Sequence, residues 1–264
     1  MSRAISPSAT RSYGLARVCR VKLAEHIRDA LKGSPWVGEG YRKVWARLRA
    51  RGIRAAGRRV LRVMREEGLQ VPVPRRHARG PKAHDRSIIP QRPDEIWATD
   101  KTGTLTGEGM ASIFFVLDHT TAEVQGIHAA RRGTRWEALE PLRQGVRNRF
   151  GPYEKGLVLD RGLKLRHDHG SQFVSNAYQD ELRFLGITSS PAFVGEPEGN
   201  VCAERFVRTL KEQLLWLRWF DTVDELRAAL QEFKEKYNRE WLIQRHGWRS
   251  PSEQRERLLQ EEAA

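Results

Sequence analysis

The chain has 264 residues, of which 39% are hydrophobic, and its 47 Lys and Arg against 33 Asp and Glu give a net charge of +14. Its longest apolar run, Ile113–Leu117, is far shorter than the ~20 residues of a membrane-spanning helix. Two cysteines are too few for a disulfide framework or a cysteine-based zinc site. The amino terminus lacks the apolar segment of a secretory signal. We therefore expect a cytoplasmic globular protein without a membrane partner.

The positive charge is concentrated in the first third of the chain. Residues 1–92 contain 23 Lys and Arg but only 6 Asp and Glu, whereas residues 93–264 contain 24 and 27. A positive field of this density favours a polyanionic partner, because neutralised phosphates release their counterions. The alternative is a solvated basic surface that only aids solubility. We favour nucleic-acid binding.

Residues 1–20 have weak periodicity and are predicted to form an amino-terminal arm. Apolar residues at helical spacing then predict three helices within a domain of residues 21–75, at Lys22–Leu31, Gly40–Ala50 and Ala56–Glu67. The residues predicted to be buried are Leu23, Ile27, Ala30, Leu31, Tyr41, Val44, Trp45, Leu48, Val60, Leu61 and Met64. Two short helices joined by a glycine-containing turn indicate a helix-turn-helix.

The third helix has a basic side opposite its apolar stripe. Arg58, Arg59, Arg62 and Arg65 lie on that side, and Arg54 precedes the helix. A DNA-reading helix needs this arrangement, since one face anchors it and the other meets phosphates and base edges. We predict that Arg54, Arg58, Arg59 and Arg62 bind DNA.

Prolines and basic residues predict an extended linker at residues 76–93, and the hydrophobic pattern changes after it. The predicted strands are Glu95–Thr102, Ser112–His119, Glu123–Ala129, Leu163–His167 and Ile187–Ser190, with a glycine-rich turn at Gly103–Gly109. The predicted helices are Arg135–Arg149, Tyr178–Leu185 and Asn200–Trp219. This order predicts an α/β core at residues 94–220, a mixed five-stranded sheet flanked by helices, followed by a helical extension at residues 221–264.

Three acidic residues are distinguished by their positions. Asp100 lies in an otherwise apolar strand, Asp168 follows a strand, and Glu204 lies on a helix. Each also has an ordinary explanation: Asp100 could pair with Lys101 or Arg166, Asp168 could cap a turn, and Glu204 could be a solvated helix residue. The carboxylates nearby, Asp118, Asp160, Glu196 and Glu198, are assigned structural or surface roles.

The helix that carries Glu204 also carries polar residues at matching spacing. Asn200, Glu204, Arg208 and Lys211 recur at helical intervals and should share one face. A carboxylate flanked by cations and an amide is suited to holding DNA. Further along, the tryptophans at positions 216, 219, 241 and 248 are interpreted as core or inter-subunit packing residues, and less readily as base-stacking residues.

Four motifs resemble a known family. WATD at residues 97–100, RHDHGSQF at residues 166–173, NVCAERFVRTLKEQL at residues 200–214 and YNREWLIQRHGWRSP at residues 237–251 resemble the integrase core of bacterial insertion-sequence transposases. The resemblance is to the second-reading-frame (OrfB) products of the IS-three family, which are related to retroviral integrases. It extends from about Gly40 to Ser252 and includes the helix-turn-helix.

The resemblance implies a ribonuclease H-like fold in which three acids bind two divalent metal ions. Asp100, Asp168 and Glu204 match those acids, and Mg²⁺, with Mn²⁺ as a substitute, is the implied cofactor. Two Mg²⁺ ions held by carboxylates suit in-line displacement at phosphorus. In the family a basic residue seven positions after the glutamate contacts the element's terminal DNA, and Lys211 matches it. His167 and His169 flank the second acid, and we expect positioning or DNA contact rather than metal ligation.

The implied activity is that of a DNA transposase acting on terminal inverted repeats and target DNA by metal-dependent cleavage and strand transfer. We expect a homo-oligomer on DNA at the bacterial nucleoid, with an upstream helix-turn-helix and leucine-zipper protein as a further partner implied by the family. Two alternatives stay open: a DNA-binding regulator of transposition with a retired core, and a structure-specific nuclease on the same fold. Lys101, beside the first acid, is a departure from the family pattern, and we expect its ammonium to depress the pKa of Asp100 or to occupy a metal position.

Overall fold

The computed structural model describes residues 19–70, 90–191 and 201–264. The predicted amino-terminal arm, most of the predicted linker and Asn200 lie outside these residues. The chain divides into two compact units, Met1–His77 and Ala78–Ala264, and each is described by itself.

The first unit contains three helices, α1 (Arg20–Lys32), α2 (Tyr41–Ala50) and α3 (Gly57–Glu66). Their buried side chains form a single core: Leu23, Ala24, Ile27, Ala30, Val44, Leu48, Val60, Val63 and Met64. The helices agree with the prediction, but Leu31, Tyr41, Trp45 and Leu61 are only partly buried. Val63 is buried where Leu61 was expected, because Val60, Val63 and Met64 share the helix face that packs on α2.

A five-stranded sheet organises the second unit in the order β3–β2–β1–β4–β5. The strands are β1 (Ile96–Thr106), β2 (Gly109–Asp118), β3 (Val124–Ala130), β4 (Lys164–His167) and β5 (Thr188–Pro191). The first three strands are antiparallel neighbours, and β4 and β5 continue the sheet parallel to β1. The predicted mixed five-stranded sheet is confirmed.

The hairpin between β1 and β2 is longer than the sequence suggested. Instead of a turn at Gly103–Gly109, the strands stay paired out to Thr106 and Gly109. Threonine at alternate positions suits a pleated, half-exposed strand, and this outweighs the preference of glycine for turns. The extension carries the hairpin well beyond Asp100.

Helices cover both faces of the sheet. On one face, Trp97 and Phe114 pack against α4 (Arg135–Phe150) and α5 (Asn176–Leu185). On the other face, the ring centroid of Phe115 lies 4.8 Å from that of Phe206 on α6 (Val201–Leu210). Helix α7 (Val223–Glu240) packs beside α6 against β3, and α8 (Pro251–Ala263) packs against α7.

The predicted helix at Asn200–Trp219 is not continuous. Helix α6 ends at Leu210 and is followed by a π-helical turn at Lys211–Leu215. A π turn adds a residue to the helical repeat, so positions after it leave the face that a 3.6-residue period assigns to them. Within the described ranges no helix is long and apolar enough to cross a membrane.

Candidate active site

Asp100 occupies the position on β1 where burial changes. The four residues from Ile96 to Thr99 are buried, and from Asp100 onward exposed and half-buried residues alternate. The Asp100 carboxylate is half-buried and accepts a hydrogen bond of 2.7 Å from the backbone N–H of Lys101. The carboxylate is therefore held at the end of the sheet core.

Asp168 lies beside Asp100 at the same end of the sheet. Strands β1 and β4 run parallel with Ala98 paired to Arg166, and two further residues on each strand lead to Asp100 and Asp168. Asp168 is exposed and accepts a hydrogen bond of 2.8 Å from the backbone N–H of Gly170. The residue therefore does cap the turn after β4, and its carboxylate lies at the carboxyl edge of the parallel strands.

Glu204 approaches the same edge from a helix. It lies in the first turn of α6, which packs against β1, and its side chain is exposed. On the buried side of α6, Cys202, Phe206 and Leu210 anchor the helix to the sheet. The spacing of these apolar residues turns Glu204 away from the core.

The charges of Asp168 and Glu204 both act on Asp100. Burial is the largest cause of a pKa of Asp100 raised to about 6, and the negative charges of Asp168 and Glu204 raise the pKa further. The backbone N–H of Lys101 and the charge of Lys211 act in the opposite direction. The structure therefore brings Asp168, Glu204 and Lys211 within electrostatic reach of Asp100.

The expectation for Lys101 is wrong. Its backbone N–H, not its ammonium group, acts on Asp100, and the pKa of that carboxyl is raised rather than depressed. The Lys101 ammonium lies 3.5 Å from the position that a Cβ of Gly133 would occupy. Since successive strand residues point to opposite faces, the ammonium lies across the sheet from the three acids.

The acids suit a hard divalent cation, although they do not form a finished metal site. Within residues 19–70, 90–191 and 201–264, no three Asp, Glu, His or Cys side chains stand close enough together to hold a metal ion. A half-buried carboxylate repelled by two neighbouring carboxylates nevertheless concentrates negative charge that a cation would neutralise. Carboxylate oxygens are the donors that Mg²⁺ prefers, so the residues fit the ion.

The histidines beside Asp168 differ from each other. His167 is buried, and its ring nitrogens contact the Asp168 carbonyl oxygen at 2.7 Å and the Ser189 hydroxyl at 2.9 Å. Both nitrogens are thus engaged within the chain, and burial lowers the pKa of the ring. His167 positions the turn that carries Asp168, whereas His169 is exposed.

The cations predicted beside Glu204 have different surroundings. Lys211 lies in the π-helical turn and acts on Asp100, whereas the exposed Arg208 pairs with Glu212 at 2.7 Å. Asn200 lies outside the described residues. Trp216 and Trp219 are exposed, so they are not core residues, and their interpretation as inter-subunit packing residues stays a prediction.

The arginines predicted to bind DNA lie on the surface of the first unit. Arg54, Arg58 and Arg62 are exposed and Arg59 is half-buried. Arg62 approaches Glu66 only to 4.0 Å at one turn's spacing. Helix α3 therefore has a basic, solvent-facing side, as predicted.

The closing motif of the family resemblance is structural. Buried Asn238 accepts a hydrogen bond of 2.8 Å from the Val124 N–H and donates one of 2.9 Å to the Val124 carbonyl, which fixes α7 on β3. Arg245 donates to the carbonyl of His119 at 2.9 Å. These contacts were not assigned from the sequence, since polar residues on a helix give no signal of which backbone they will meet.

Comparison with known protein families agrees with this architecture. The HTH-like domain family matches residues 16–77, and the integrase core domain family matches residues 90–197 and 185–251, together more than half of the chain. The chain belongs to the integrase-core transposases. The resemblance to the IS-three family is thereby confirmed, and the first unit of this transposase is its HTH-like domain.

Relatives named as transposases match most of the chain. The transposase for insertion sequence element IS629 of Shigella sonnei is 26% identical over 81% of this chain and 72% of its own length. Transposase InsF for insertion sequence IS3fB of Escherichia coli is 26% identical over 88% and 73%. Transposase InsD for insertion element IS2A/D/F/H/I/K of Escherichia coli is 29% identical over 81% and 72%.

A solved structure shares the fold. A chain in the cryo-electron microscopy structure of the simian T-cell lymphotropic virus intasome in complex with PP2A regulatory subunit B56 gamma has a TM-score of 0.50 and 19% identity, covering 80% of this chain and 70% of that chain. The predicted ribonuclease H-like fold of the core is confirmed.

Proposed function

We propose that this transposase binds the terminal inverted repeats of its insertion sequence and target DNA, and that it catalyses DNA strand cleavage followed by strand transfer. The observation that carries the proposal is the joint effect of Asp168 and Glu204 on the pKa of Asp100. Asp100 on β1, Asp168 after β4 and Glu204 on α6 are far apart in the chain, and the charges of the last two act on the first. A structural role for any one acid would not require the other two.

Asp100, Asp168 and Glu204 would hold two Mg²⁺ ions, with Mn²⁺ able to replace them. When bound, such ions increase the nucleophilicity of the attacking oxygen and stabilise the leaving oxygen at phosphorus. The chain contributes the rigidity of the site: the Lys101 N–H fixes one carboxylate and the Gly170 N–H another. Preorganised ligands need no reordering when substrate arrives.

The cations of the chain bind and orient the DNA. Lys211, whose charge reaches Asp100, is placed to meet a phosphate beside the scissile bond. The basic side of α3 supplies Arg54, Arg58, Arg59 and Arg62 for the element end, and Arg208 and Asn200 are assigned to flanking phosphates. In cleavage, water breaks a phosphodiester to leave a 3′-hydroxyl, and that hydroxyl then attacks a second phosphodiester. The bond exchanged in the second step conserves its energy, so no nucleotide cofactor is needed.

Transposition joins two element ends, and we propose that a homo-oligomer holds both at the nucleoid. An upstream helix-turn-helix and leucine-zipper protein would be a further partner. Sedimentation on paired-end DNA tests the oligomer, and a monomer there contradicts it.

The activity is tested with purified protein on a labelled duplex that carries the element's own terminal repeat, with Mg²⁺ and with EDTA. Glu204→Gln keeps the size of the side chain and removes its charge, and should reduce joined product at least 100-fold. Glu232→Gln is the matched control, since Glu232 is an exposed glutamate on α7, and it should retain activity.

The same assay separates the alternative functions. Cut DNA without joined product would indicate a nuclease. Salt-sensitive binding without cleavage, unchanged by addition of the upstream protein, would indicate a regulator with a retired core. Either result would contradict the proposal.

A further inference from the structure

A cationic and aromatic surface lies on the face of the sheet opposite the three acids, next to the start of α4. It consists of Lys101, Arg132, Arg135 and Trp136, and is called the β1–α4 patch. All four residues are exposed, and 58% of the Trp136 surface is accessible. None of them belongs to the acid cluster or to the basic side of α3.

The backbone brings the patch together. Lys101 on β1 extends its ammonium toward Gly133, which separates Arg132 from the start of α4. A Cβ at Gly133 would lie 2.8 Å from the Ser112 hydroxyl on β2, so the loop passes close to the sheet here. Lys101 and the two arginines therefore form one surface.

Among the described residues, no acidic side chain neutralises the cations of the patch. Nearby, Arg131 pairs with Glu108, and His128 lies 2.7 Å from Glu137. In the described part of the chain, no ion pair joins an acidic residue to Lys101, Arg132 or Arg135. The Arg135 guanidinium lies over the Trp136 ring, 5.6 Å from its centroid. One cation of the patch thus lies over an exposed aromatic ring, and none of the three cations is paired with an acid among the described residues.

We infer that the β1–α4 patch is a further DNA-contact surface of the catalytic unit, an inference that rests on the proposed function. Exposed cations match phosphates, and an exposed ring with one guanidinium over it matches an unpaired or fraying base, since bases stack on aromatic side chains. A protein partner of the usual kind would instead favour an apolar surface with few charges at its centre. The combination therefore favours nucleic acid.

The position of the patch gives it a role distinct from that of the acids. Lys101 follows Asp100 directly, and its side chain points to the opposite face of the sheet. DNA that passes the acid cluster would meet the patch as it continues around the sheet edge. The patch then holds the strand beyond the scissile phosphate and takes no part in the chemistry.

A cross-linking experiment tests the contact directly. The full chain is made with the photoreactive amino acid p-benzoylphenylalanine in place of Trp136. It is irradiated in EDTA with either a duplex that carries the terminal repeat or an unrelated duplex. Adducts to DNA support the inference, and the two duplexes distinguish element DNA from target DNA. Adducts only to a second copy of the chain, or no adducts, overturn it.

A second measurement uses charge. Arg132→Ala with Arg135→Ala should weaken binding of duplex DNA about 10-fold at 0.1 M salt and reduce the slope of log affinity against log salt by nearly 2, because each lost phosphate contact contributes about 0.9. Lys155→Ala with Lys164→Ala is the matched control, which removes two exposed cations near the start of β4. Equal effects of the two double variants overturn the inference.

These readouts are independent of catalysis. Cross-linking in EDTA without strand transfer in Mg²⁺ would contradict the proposed function and leave the patch in place. Strand transfer without cross-linking would overturn the patch alone.

Discussion

At the scale of the residue, Asp100 combines burial with the repulsion of two neighbouring carboxylates. Both raise its pKa, and so both make the ionised carboxylate unfavourable in the folded protein. A site that stores this unfavourable charge gains stability when a cation neutralises it. Metal binding can therefore be measured as stability, independently of any reaction on DNA.

Asp100→Asn should remove both the unfavourable charge of the folded protein and its stabilisation by Mg²⁺. The asparagine oxygen still accepts a hydrogen bond from the Lys101 N–H. The metal-free variant should therefore have a Tm a few degrees above that of the wild type, because ~1 kcal/mol of stability corresponds to about 2–4 °C in Tm for a protein of this size. Thermal denaturation with and without Mg²⁺ should show stabilisation of the wild type and little of the variant. Asp160→Asn, at an exposed carboxylate, is the control and should keep the full response. Equal stabilisation of all three proteins would contradict a metal role for Asp100.

Lys43 on α2 is an amine whose pKa is strongly lowered in the folded protein. Burial is the main cause of a pKa lowered to about 7, with Arg47 acting in the same direction and Glu39 opposing it. In the unfolded chain the pKa returns to its ordinary value near 10.4. Between these values the unfolded state binds more protons, so the first unit should become more stable as the pH rises.

The free energy of unfolding of the first unit should rise by about 2 kcal/mol between pH 7 and pH 9, since each pH unit in this window contributes up to about 1.36 kcal/mol. Lys43→Met should remove most of it and be more stable than the wild type at pH 7. Hydrogen exchange of α2 and α3 peptides in the full chain, compared with the wild type at each pH, measures the effect. Lys32→Met, at an exposed position, should behave like the wild type, and a wild-type profile for Lys43→Met would refute the assignment.

At the scale of the element, α7 is attached to β3 by side-chain hydrogen bonds from Arg227, Gln231 and Asn238, of which only Asn238 is buried. Asn238 satisfies both backbone groups of Val124 at the start of β3. Such pairing replaces the partner strand that this part of an edge strand lacks. The asparagine therefore fixes the register between helix and sheet.

Asn238→Ala should destabilise the second unit by about 2–4 kcal/mol, because two buried backbone groups lose their partners. Urea denaturation followed by circular dichroism measures the loss. Glu240→Ala, two residues later and exposed, should cost less than ~0.5 kcal/mol. Equal stability of the two variants would show that water replaces the amide.

The elements differed in how far the sequence predicted them. The five strands and the helix-turn-helix follow from the hydrophobic period, whereas the grouping of the three acids was implied by the family resemblance and stays a prediction. The π-helical turn after Leu210 could not be predicted in this way, because it depends on how α6 packs on the sheet and no local residue preference indicates it. The direction of the Lys101 side chain was missed for a simpler reason: adjacency in a strand places neighbours on opposite faces.

At the scale of the whole molecule, charge is divided along the chain. Residues 1–92 hold nearly four times as many basic as acidic residues, and residues 93–264 are slightly acidic. A slightly acidic segment would bind DNA through cations presented locally, as we propose for Lys211 and the β1–α4 patch. Recognition of sequence and retention of the strand then belong to different surfaces.

This division predicts two kinds of DNA-binding defect. Arg58→Ala with Arg62→Ala should lower affinity for the terminal repeat by more than for an unrelated duplex, because base contacts on α3 discriminate between sequences. Arg132→Ala with Arg135→Ala should lower both affinities by the same factor, since phosphates are alike in every sequence. Competition between the two duplexes at fixed salt measures the ratio of affinities. If the α3 variant keeps the wild-type ratio, sequence is read elsewhere, and the basic side of α3 contributes only charge.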